Sequence, residues 1–110
     1  MLEGLLFQPS GTETTQQTRA GIPIYRGGPI GFEEWKFKIL GRVQSIKNQC
    51  DIHEPESVRK AENQLVALSA MVVEALEDDA LRIAMEIGLA TLSTVDGVTT
   101  LVQRIEDAIP

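Results

Sequence analysis

The sequence predicts an all-α fold, a small bundle of four amphipathic helices preceded by an extended arm and a flexible N-terminal tail. Three observations predict it. From Phe32 onward, apolar residues recur every three or four positions, the spacing that collects side chains on one face of an α-helix. No segment after residue 30 alternates apolar and polar side chains as a half-buried strand does. The breaks between periodic runs are short and carry helix-boundary residues such as Pro55 and Gly88, as in a compact bundle.

Residues 1–21 read as the tail. The stretch "QPSGTETTQQTRAG" is rich in Thr, Gln, Ser and Gly, and it buries too little apolar surface to offset its ordering entropy. Leu5, Leu6 and Phe7 leave a frayed apolar end before it. Residues 22–110 form the helical domain, and 22–31 are its arm. Pro23 and Pro29 disfavour helix there, Gly27 and Gly28 allow a turn, and Ile22, Ile24 or Tyr25 lies on the helical body.

The first helix spans 32–47, with Phe32, Trp35, Ile39, Val43 and Ile46 on one face. Glu33 and Glu34 complement the helix dipole, and Glu34 with Lys38 makes a favourable i,i+4 pair. Phe37 and Leu40 widen the apolar face, and Phe37, off its centre, suits a second surface, a partner's included. Gly41 weakens the helix and allows close helix packing. "DIHEPE" is a loop, and Pro55 suits a helix start. The second helix, 56–76, carries Val58, Ala61, Leu65, Leu68, Val72 and Leu76 as one stripe. A third, 79–87, presents Leu81, Ala84, Met85 and Ile87, is capped by Asp78 or Asp79, and ends at Gly88. The segment "LATLSTVDG" connects it to the last helix, 97–109, where Ser93 and Asp96 resemble a capping signature ahead of Val98, Leu101, Val102, Ile105 and Ile109.

The net charge of −6 is unevenly spread. Residues 1–50 carry six basic against four acidic side chains, a balance of +2, and residues 51–110 four basic against twelve acidic, a balance of −8. The acidic half argues against general binding to phosphate backbones, which needs clustered cations. The one basic cluster is Lys36, Lys38, Arg42 and Lys47 on the first helix, a candidate for weak contact with RNA. The single cysteine, Cys50, forms no internal disulfide, which fits a reducing compartment. With no basic n-region at the start and no apolar run of spanning length, the chain reads as intracellular and cytoplasmic, with no membrane partner.

No catalytic constellation emerges, so the chain reads as a non-enzyme without cofactor, metal or small-molecule substrate. His53 stands near Cys50, Asp51, Glu54 and Glu56, all ligand types, but the spacing matches no zinc motif and no second Cys or His closes the site. His53 reads as a surface-loop residue and Cys50 as a partly buried, inert thiol. Glu77, Asp78 and Asp79 read as a solvated helix cap in place of an acid–base pair or magnesium site. The glycine pairs lack phosphate-loop context, and one histidine without a nucleophile elbow assembles no triad. The aromatics Tyr25, Phe32 and Trp35 could stack on bases. Helical spacing with Ile39 and Val43 favours their burial as core.

The motif "PIYRGGPIGFEEWKFKILGRV", followed by "LEDDALRIAMEIGLATLSTVDGVTTLVQRIEDAI", resembles the Gag-like region at the start of copia-type LTR retrotransposon polyproteins. Tyr25, Gly27 and Gly28 stand for that family's short extended element, and Phe32, Trp35, Phe37 and Ile39 for its Trp-bearing helix. The sequences "ALEDDALRIAMEIG" and "GVTTLVQRI" stand where the family has an acidic turn and a final helix. The final helix departs from the family pattern, with Leu101 or Val102 in place of a second Trp, and the CCHC zinc knuckle that lies further downstream in the family is not in these residues. The resemblance implies a structural, capsid-like domain of a retrotransposon polyprotein, or a remnant of one, acting by self-association into homo-oligomers. A helical module that docks a peptide or partner protein, without catalytic activity, is the alternative. The residues expected to define the fold are Tyr25, Phe32, Trp35, Ile39, Val43, Leu65, Leu68, Val72 and Leu76.

Overall fold

The structure, a computed structural model, describes residues 18–109. Of the expected tail, residues 1–17 lie outside the described residues, as does Pro110. Residues 18–21 depart from that expectation. Thr18–Arg19 (β1) pairs antiparallel with Ile22–Pro23 (β2), Arg19 opposite Ile22. Ala20 and Gly21 make the turn with φ of 54° and 79°, the two left-handed residues that a tight hairpin requires. So short a hairpin is marginal alone. It is held because Ile22 is fully buried and because Arg19 reaches the helical body, its Nη1 donating to the Glu74 carbonyl at 2.6 Å.

The fold is all-α. Its helices are α1 (Phe32–Asn48), α2 (Pro55–Glu74), α3 (Asp78–Ile87), α4 (Leu89–Leu92) and α5 (Gly97–Ala108). The short α4 lies within the segment expected to be a plain connector. α1 packs on α2, α2 and α3 both pack on α5, and α4 fills the corner between α3 and α5. Pro55 occupies the first turn of α2, where its missing N–H costs nothing. The other end of α2 stops two residues early. Ala75 and Leu76 leave the helix because their backbone pairs with the arm: the Tyr25 N–H donates to the Ala75 carbonyl at 3.1 Å, and the Glu77 N–H to the Tyr25 carbonyl at 3.0 Å. Leu76 is therefore buried, but in a parallel bridge with Tyr25 and outside the helical stripe.

Tyr25, Phe32, Trp35, Ile39, Val43, Leu65, Leu68, Val72 and Leu76 are buried in one cluster with Val98, Leu101 and Ile105 of α5. Trp35 lies at its centre, stacked on Tyr25 with ring centroids 4.6 Å apart and tilted against Phe32 at 6.0 Å. Burying such an aromatic triad supplies a large share of a small domain's hydrophobic stabilisation. Lys36 crosses from α1 to α5, its Nζ 3.0 Å from a Glu106 carboxylate oxygen and 5.9 Å from the Phe32 ring centre.

The corner at α4 is tighter. The buried Ser69 hydroxyl donates to the Leu92 carbonyl at 2.6 Å, giving the last residue of α4 the partner that a helix end otherwise lacks. α5 starts at Gly97 against the same carbonyl. Neither capping expectation holds, because no described helix carries a side-chain cap hydrogen bond. Glu77 takes the N-cap position of α3 in extended conformation. At the start of α5, Thr99 donates to the Asp96 carbonyl at 3.0 Å.

Gly41 permits no close packing. It faces outward with nothing within 4 Å of where a Cβ would stand. Gly41→Ala therefore adds helix propensity without a clash and should raise stability by about 0.5–1 kcal/mol in urea denaturation.

Candidate functional site

α3 turns a different face to the core from the one its largest residues suggest. Ala80, Ile83 and Ala84 are buried, and Ile87 is half-buried, in an i, i+3, i+4, i+7 row. Leu81 and Met85, expected inside, point out. The cause is the arm. The Ala80 N–H donates to the Arg26 carbonyl at 3.1 Å, and a Cβ placed on Gly27 would stand 3.0 Å from that same nitrogen. Backbone packed this closely admits alanine beneath α3 and excludes leucine.

The excluded side chains form a continuous surface. Leu81 is 36% exposed, Met85 73% and Leu89, across the Gly88 break, 73%. With Val73, Gly88 and Leu92 they line one shallow groove of about 310 Å³. Gly88 carries the chain between α3 and α4 at φ 93°, a value that non-glycine residues rarely adopt. The rim is charged and internally balanced: Arg82 lies 2.8 Å from Glu86 and 3.7 Å from Asp79, and Arg104 of α5 lies 4.0 Å from Glu86. Ile30, Phe37 and Ile52 are also exposed but sit on three separate elements, which is ordinary for a protein surface. Phe37 projects from the outer face of α1 and adds nothing to its core face.

The four basic candidates of α1 are not gathered into one patch. At about 100° per residue, Lys36 and Lys47 fall on one flank of the buried stripe and Lys38 and Arg42 on the other. Lys36 pairs with Glu106, Lys38 lies 2.9 Å from Glu34, and Arg42 donates to the Gly21 carbonyl at 2.6 Å. Lys47 stands in the last turn of α1, where it complements the dipole.

The acidic run at 77–79 makes no side-chain cap bond to α3 and instead anchors the arm. Glu77, half-buried, takes Arg19 at 3.1 Å and Arg26 at 2.9 Å on its two oxygens, and Arg26 also reaches Asp78 at 3.5 Å. These carboxylates are the receptor for the arm. His53 lies in an exposed loop, its backbone N–H donating to Asp51 Oδ1 at 3.0 Å. Cys50 is half-buried beside Gln49, Ser57, Lys60 and Gln64 in a mixed polar pocket of about 360 Å³ between α1 and α2. Among the described residues no group of three His, Cys, Asp or Glu side chains is placed to hold a metal ion, and no helix is long and apolar enough to cross a membrane. Burial raises the pKa of the Tyr25 phenol, whose hydroxyl donates to the Gly28 carbonyl and closes the turn of the arm. The Trp35 indole Nε1–H is buried and has no acceptor among the described residues.

Periodicity alone did not reveal the α3–α4 surface. The available signal was that α3 is apolar on two faces, 80/83/84/87 and 81/85, and one helix in a two-layer packing buries only one. In comparisons with known proteins, the chain has no significant match to a family model, a curated protein or a solved structure.

Proposed function

We propose that this chain is a structural, capsid-like domain that acts by self-association, burying an apolar helix face between copies inside the cell, in the cytoplasm. Two things support the reading. The arm and Trp-bearing helix resemble the Gag-like region of copia-type retrotransposon polyproteins at Tyr25, Phe32 and Trp35. The observation that carries it is the contiguous apolar row Leu81–Met85–Leu89 on α3–α4. It offers on the order of 300–400 Å² of apolar surface per copy, within the range of functional patches but below the ~800 Å² per partner of a standard interface. Association through this row alone is accordingly weak and concentration-dependent. The role involves no catalysis, cofactor, small-molecule substrate or membrane. Contact with RNA through Lys36, Lys38, Arg42 and Lys47 is at most secondary, since their division between two flanks gives no continuous track for a phosphate backbone.

Sedimentation velocity over a wide concentration range tests the proposal. The wild type is expected to shift toward dimers or larger species as concentration rises, and Leu89→Glu, which places a charge on the exposed row without touching the core, to remain monomeric. A wild type that stays monomeric at high concentration overturns self-association and favours the alternative, a helical module that docks a partner protein on the same groove.

A further inference from the structure

We draw no further inference here: the strongest candidate, the exposed apolar row Leu81–Met85–Leu89 on the α3–α4 face, belongs to the surface already described, and nothing in the structure shows what covers it.

Discussion

Trp35→Ala will cost about 3–5 kcal/mol, the range for removing a fully buried large aromatic from a core. A domain of this size holds about 5–15 kcal/mol in total, so the variant is expected to unfold at the lowest urea concentrations or to be collapsed without fixed packing. The damage exceeds one side chain, because Tyr25 and Phe32 both lean on the indole. Trp35→Phe is the informative control. The indole Nε1–H lacks an acceptor among the described residues, and a buried unsatisfied donor carries a penalty of about 1–3 kcal/mol. Phenylalanine removes that penalty while giving up some volume, so Trp35→Phe should cost only about 1–2 kcal/mol net. Urea denaturation of the two variants decides the matter. Equal destabilisation by Phe and Ala would show that the N–H makes a bond worth keeping.

The second large effect belongs to the smallest residue of the core. Gly97→Ala normally gains about 0.5–1 kcal/mol in a helix, but here the added Cβ would stand 2.1 Å from the Leu92 carbonyl oxygen and 2.9 Å from Ser69 Oγ. Backbone cannot yield as a flexible side chain can. The start of α5 must move away from α4, breaking the Ser69–Leu92 hydrogen bond and loosening Val98 and Leu101. Overpacking outweighs propensity, for a net loss of about 2–3 kcal/mol or roughly 10–20 °C in Tm. Calorimetry of Gly97→Ala beside Gly41→Ala is a sharp comparison, since one substitution type in two helices should change Tm in opposite directions. A stabilised Gly97→Ala would show that the α4–α5 corner can relax, and that its close approach is not needed.

The helices were legible because periodicity reports burial directly. Phe32, Trp35, Ile39 and Val43, and then Leu65, Leu68 and Val72, are spaced as one-sided stripes and are buried as such. What was not legible came from the arm. Nothing in the period of α2 shows that Ala75 and Leu76 exchange helix for pairing with Tyr25, because the competing hydrogen bonds come from some fifty residues earlier in the chain. For the same reason Ala80 looked less core-like than Leu81. Side-chain size suggests one face, and the proximity of Gly27 selects the other. The Arg19 and Arg26 partners of Glu77 were equally invisible, since a run of acids reads locally as a solvated cap. The basic residues of α1 were visible as a composition but not as an arrangement. Only their angular positions divide them into two flanks.

The docking of the arm on the α2–α3 junction also sets an order of events during synthesis. Tyr25 and Arg26 emerge from the ribosome before the described helices, yet their seats at Ala75, Leu76 and Ala80 are made about fifty residues later. At about 5–20 residues per second, the nascent chain spends several seconds with Tyr25 and the Trp35 face uncovered. The arm is thus made before the helices but docks after them, and a chain released before α3 is finished leaves Tyr25 without its seat.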